Sequence, residues 1–85
     1  MYIAIQHTIT DPEKWQIAVK SFPSKLTKDL KPHTYSPSTD GKRANCLWEA
    51  DSVEAVKSFV EREFGHCSQN EYYEVDGQSA MGLPQ

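Results

Sequence analysis

The strongest constraint on the fold of this chain is that it carries two amphipathic helical stripes and no more. Trp15, Ala18, Val19 and Phe22 recur at i, i+3, i+4 and i+7, one face of a helix, and Val53, Val56, Phe59, Val60 and Phe64 make a second such stripe. Each stripe opens on a capping signal. Asp11 precedes Pro12, which suits a first helical position because its missing N–H would be unpaired there anyway. Asp51 precedes Ser52-Val53-Glu54, placing Glu54 where a capping-box carboxylate belongs. Pro23 ends the first helix, and Gly65 is expected to end the second in a left-handed conformation.

The rest of the chain has strand period. In Tyr2–Ile9 the residues Ile3, Ile5, His7 and Ile9 alternate with Tyr2, Ala4, Gln6 and Thr8. Leu30 to Ser36 and Lys42 to Ala50 read as strands either side of Pro37-Ser38-Thr39-Asp40-Gly41, where Asp-Gly is hairpin chemistry. Pairing Pro37 with Lys42 would set His33 opposite Cys46 and Lys31 opposite Trp48, although a slip of one residue would reverse the faces. Glu71 to Val75 is the last strand. The domain is expected over residues 1–76, with 77–85 a C-terminal tail.

The order is thus β-α-β-β-α-β, an α+β chain of ferredoxin-like plan with a four-stranded antiparallel sheet in the order 4-1-3-2. Two helices can cover one face of such a sheet. The other face is not plainly polar, since Tyr2 and Ala4 oppose the isoleucines and Leu47 opposes Cys46 and Trp48. A second copy laid face to face, forming a dimeric α/β barrel, is the economical cover. A homodimer or larger homo-oligomer also suits a chain of 85 residues, whose core is thin.

Charge and cysteine usage narrow the partners. A formal charge of −3 offers no general basic face for nucleic acid, and the cluster Lys20, Lys25, Lys28 and Lys31 reads as a solvated connector. No segment approaches the ~20 apolar residues of a membrane helix. With only Cys46 and Cys67, and no secretory pattern ahead of them, a cytoplasmic setting with reduced thiols is expected. There is no phosphate-binding glycine loop, HExxH, CxxC or GxSxG, which leaves nucleotide hydrolysis, zinc-peptidase, thioredoxin-type and serine-esterase chemistry without support.

The run Cys46-Leu47-Trp48-Glu49-Ala50-Asp51-Ser52-Val53-Glu54-Ala55-Val56, with Glu61-Arg62, Gly65-His66 and Glu74-Val75, resembles the small dimeric α/β-barrel proteins. More narrowly, it is similar to short domains related to a nickel-responsive, nickel-binding protein. That resemblance implies a sheet-to-sheet dimer and a transition-metal site, with His7, His33 and His66 where such proteins carry histidines. The expected role is a small binding protein that holds a divalent metal or small ligand, in a metal-responsive setting; the wider superfamily implies a rival reading, a cofactor-free monooxygenase or isomerase-like enzyme.

Two sites follow. In the 4-1-3-2 order, His7, His66, Cys67 and Glu71 reach one end of the domain together with Asn70, and two imidazoles, a thiol and a carboxylate suit nickel or zinc. Each also has an ordinary explanation: His66 as a helix-terminal cation, His7 as a hydrogen-bonded strand histidine, Cys67 as a passive thiol, Glu71 as surface charge. The rival site is a small-molecule pocket over one sheet face. There His33 would abstract a proton and Tyr35 orient a phenolic ligand, beside Cys46 and Trp48. Packing alone would equally explain Tyr35 and Trp48. Glu49 has no evident structural purpose at this stage.

Overall fold

The fold is that of a computed structural model describing residues 1–84; Gln85, the last residue of the expected tail, lies outside them. Strand β1 (Tyr2–Ile9) is followed by helix α1 (Pro12–Ser21), which runs into a short 3-10 turn at Phe22–Lys25. Strands β2 (Lys31–Pro37) and β3 (Arg43–Glu49), helix α2 (Val53–Phe64) and strand β4 (Ser68–Glu74) complete the order. The four strands form one antiparallel sheet in the order β2-β3-β1-β4. The ferredoxin-like plan and strand order expected from the sequence are both present. Among the described residues no helix is long and apolar enough to cross a membrane.

Local signals account for most boundaries. The Asp11 carboxylate accepts from the Lys14 amide and Pro12 opens α1, so one orphan N–H is capped and another never exists. Helix α2 departs from expectation: Ser52, not Asp51, is its cap, the hydroxyl accepting from Ala55 N at 3.1 Å. The cap side chain must lie three residues before the amide it satisfies, and Ser52 meets that spacing. Gly65 ends α2 in a right-handed rather than left-handed conformation, with φ −64°. Glycine is still required there, because a Cβ would come within 2.4 Å of the Glu61 carbonyl oxygen. In the β2–β3 turn Gly41 does take positive φ, at 73°, and Asp40 accepts from Ser38 Oγ and Lys42 N.

Alternation along β1 assigns the faces. Ile3, Ile5, His7 and Ile9 are buried toward the helices, where they meet Trp15, Ala18, Val56, Phe59, Val60 and Phe64. From β3, Ala44, Cys46 and Trp48 join the same layer. Aromatic rings fill its centre, with Phe22, Trp48, Phe59 and Phe64 at tilted or edge-on angles and centroids 5.5 to 6.5 Å apart. The outer face is mixed: Gln6, Thr8, Arg43, Asn45, Gln69 and Glu71 are exposed, and Tyr73 is 53% exposed. The tail returns over that face, where the Tyr2 hydroxyl donates to the Pro84 carbonyl at 2.8 Å.

The hairpin register differs from the expected one. Tyr35, not His33, lies opposite Cys46, and Pro32, not Lys31, opposite Trp48. Two departures produce it: Pro37 pairs with Ala44 rather than Lys42, a two-residue shift that leaves the faces unchanged, and an irregularity between Pro32 and Thr34 then inserts one extra residue into β2. Tyr35 therefore keeps company with Cys46 and Trp48, while His33 is turned to the outer face. There its ring lies 5.7 Å from that of Tyr2, and its Nε2 is 2.9 Å from Glu49 Oε1. That contact gives Glu49 a purpose and, as its main effect, holds the Glu49 carboxyl below the usual range.

Candidate functional site: an apolar cavity between helices and sheet

A cavity of about 170 Å³ lies between the sheet and the two helices. Its wall is almost wholly apolar: Trp15, Val19 and Phe22 from the α1 side, Val60 and Phe64 from α2, Trp48 from β3. Pro32, Thr34 and Tyr35 of β2 complete it, and all three are exposed, so the mouth opens along the β2 edge. His7 and Cys46 also line this cavity and, with the Tyr35 hydroxyl, bring the main polar atoms to it.

The sheet brings His7 and Cys46 together diagonally. His7 is opposite Ala44 and Cys46 is opposite Ile5, so the two side chains share a face two residues apart in register. His7 Nε2 is 3.2 Å from Cys46 Sγ. On the other side of His7, Asn70 is its direct partner across β1–β4, and Nδ1 lies 2.5 Å from Asn70 Oδ1.

This network assigns the tautomer. Asn70 Nδ2 donates to Glu61 Oε2 at 2.9 Å, and the Tyr72 hydroxyl donates to the same oxygen. A flipped Asn70 would point its carbonyl at a carboxylate, so Oδ1 must face His7 and Nδ1 must carry the proton. Nε2 is then an acceptor. It presents a lone pair at the cavity wall, covered by the Cys46 S–H. Burial holds the imidazole below its ordinary pKa, against the opposing pull of the Asn70 hydrogen bond and the Glu61 charge. Burial also pushes the Cys46 thiol up to about 11. Both groups are therefore neutral at pH 7, a thiol donating to an imidazole rather than an ion pair.

Trp15 ties the site to α1. Its ring lies 4.9 Å from those of His7 and Phe64, and its Nε1–H donates to the Tyr35 hydroxyl at 3.1 Å. Tyr35 thus accepts from Trp15 and keeps its own proton for another acceptor.

The expected convergence of His7, His66, Cys67 and Glu71 is not found. Asn70 and Glu71 are successive strand residues and point to opposite faces, so only Asn70 shares the face of His7. Glu71 is exposed on the outer face near Gln6. His66 is exposed beyond α2, in a groove with Lys14, Ile17 and Arg62. Cys67 is fully buried, its thiol donating to the Phe64 carbonyl, while its own carbonyl accepts from Thr10 and Asp11 amides. Among the described residues no three His, Cys, Asp or Glu side chains are grouped to hold a metal ion, so nickel or zinc has no shared ligand set there. Of the rival pair, Tyr35 lines the cavity and His33 does not; His7 stands in its place.

No protein-family model matches the chain, and no curated protein and no solved structure matches it either. The likeness to nickel-responsive domains thus gains nothing beyond the shared ferredoxin-like plan.

Proposed function

We propose that this chain is a small-molecule protein whose cavity takes a compact, largely aromatic ligand with one carbonyl or hydroxyl group, and that His7 moves a proton on that ligand. The supporting observation is the His7 Nε2 lone pair, fixed by Asn70 and Glu61 at the wall of an apolar cavity, where its one partner is the weak Cys46 S–H donor. A neutral imidazole beside a hydroxyl donor is suited to proton abstraction next to a carbonyl, with Tyr35 receiving the developing negative charge. The chemistry is isomerase-like.

Propiophenone, an aryl ketone with exchangeable α-protons, tests this reading. It is expected to quench the fluorescence of Trp15 and Trp48, which both line the cavity, and to gain deuterium at its α-carbon faster with protein than without. Binding without exchange would leave a carrier and remove the enzyme; neither effect would remove the site. Metal responsiveness has no grouped ligands behind it among the described residues and is carried no further.

A second copy on the outer sheet face belongs to the same proposal, supported by the partly exposed Leu47 and the half-exposed Tyr73 on that face. Tyr73→Glu is expected to halve the mass seen by light scattering. A monomeric wild-type chain, or a variant of unchanged mass, would count against the pairing.

A further inference from the structure

The cavity holds a group that proton transfer does not need. Cys46 places its sulfur 3.2 Å from His7 Nε2, on the wall of the cavity. We propose that Cys46 captures apolar α,β-unsaturated carbonyl compounds by conjugate addition, with His7 accepting the thiol proton. This rests on the reading of the cavity as a ligand site and adds an electrophile class to it.

The surroundings select this chemistry over acyl transfer. Cys46 lies in β3, an interior strand paired with β1 at Ile5 and with β2 at Tyr35. Its neighbouring amides belong to those ladders, so no free pair of N–H groups stands beside Sγ to hold a tetrahedral oxyanion. Conjugate addition puts the charge elsewhere. The S–H bond breaks and its proton goes to His7 Nε2. A C–S bond forms at the β-carbon, the C=C electrons move toward the carbonyl, and the oxygen becomes an enolate several atoms from sulfur. Tyr35, directly opposite Cys46 and already accepting from Trp15, has the free O–H to receive it. The α-carbon then takes the proton back from His7. Net, S–H adds across C=C, and neither oxidant nor reductant is consumed.

Burial shapes the selectivity. The thiol is a poor thiolate at neutral pH, which protects it from dilute water-soluble electrophiles. An apolar enone is concentrated beside it by the cavity, and proximity offsets the scarcity of thiolate. Cys67, fully buried away from the cavity lining, is an internal control.

The test is intact-mass and peptide mapping after exposure to phenyl vinyl ketone, with acrylamide as a polar electrophile and glutathione as a free thiol. One adduct is expected, on Cys46 and not on Cys67. The rate ratio of phenyl vinyl ketone to acrylamide should exceed that of glutathione by about ten-fold or more. Propiophenone should slow the labelling. Cys46→Ser should abolish it, and His7→Ala should slow it about a hundred-fold. Because losing His7 also empties part of the core, Tyr35→Phe is the second variant, expected to slow capture by about ten-fold or more through loss of one hydroxyl. A ratio equal to that of glutathione, labelling at Cys67, or no protection by propiophenone would overturn the proposal. If propiophenone quenches tryptophan fluorescence but Cys46 stays unlabelled, the cavity reading stands and capture falls; if neither occurs, both fall.

Discussion

His7→Gln is expected to slow α-proton exchange on propiophenone by about 10²- to 10⁴-fold, the range general-base catalysis contributes, while changing ketone affinity little. Glutamine keeps a polar group against Asn70 but has no ring nitrogen to take a proton. In the wild type the rate should be level through neutral pH, because burial keeps His7 unprotonated there, and should fall only on the acid side of the ordinary histidine range. Stability moves with the same sign. The folded-state pKa is depressed, so between it and the unfolded value the unfolded chain binds more protons, and lowering the pH through that window destabilises the fold. Above the unfolded value both states are neutral and no penalty remains. Urea midpoints measured from pH 8 to pH 5 should therefore decline for wild type, and decline less for His7→Gln. The lowered carboxyl pKa values of Glu49 and Glu63 add loss in the same direction, but only at more acid pH. Parallel pH profiles for the two proteins would mean that His7 is not the buried neutral base described.

How far the sequence carries to this site depends on which physical signal places each residue. Period-two alternation gave β1 its limits and its buried face, and the helical stripes gave both helices, because burial imposes those periods directly. The strand order comes with the ferredoxin-like plan that the β-α-β-β-α-β succession implies, and it already brings Asn70 to the end of β1 where His7 sits. What it did not carry was side-chain direction at single residues. Topology brings Glu71 to the same end as His7, but it follows Asn70 in the same strand and strict alternation sends it to the far face. A regular β2 would put His33 on the cavity face, whereas one extra residue beside Pro32 turns it away. Proline, which cannot donate to a ladder, is a signal for such an irregularity and was available in the sequence. The His7–Cys46 contact needed the β1–β3 register, and two strands separated by a helix and another strand fix no register through a turn. Glu61 and Tyr72 were legible only as a helix surface residue and a strand tyrosine. Their role, setting the Asn70 amide and through it the His7 tautomer, exists only once α2 is laid across β4.

Trp15 links the stability of the fold to the chemistry of the cavity, and two substitutions separate these roles. Trp15→Ala is expected to cost about 3–5 kcal/mol, the range for emptying a large aromatic from a core, since Trp15 is 2% exposed and packs on His7 and Phe64. For a chain of this length, total stability at ~0.05–0.15 kcal/mol per residue is about 4–13 kcal/mol, so the loss takes about a quarter or more of the total and, at the lower end, brings the variant close to unfolding. Trp15→Phe keeps a ring over His7 and should cost much less, but it removes the N–H that fixes the Tyr35 hydroxyl. Tyr35 would then rotate more freely at the cavity mouth, and a donor that must be ordered during reaction contributes less than one already in place. Trp15→Phe should therefore retain most of the urea midpoint while losing part of the proton-exchange and Cys46-labelling rate that Tyr35→Phe loses. Nearly full stability in Trp15→Ala would show that the ring does not fill the core. Undiminished rates in Trp15→Phe, with Tyr35→Phe impaired, would show that Tyr35 holds its position without the indole. If both variants behave as expected, the aromatic wall that closes a thin core is also what sets the hydroxyl donor across from His7 and Cys46.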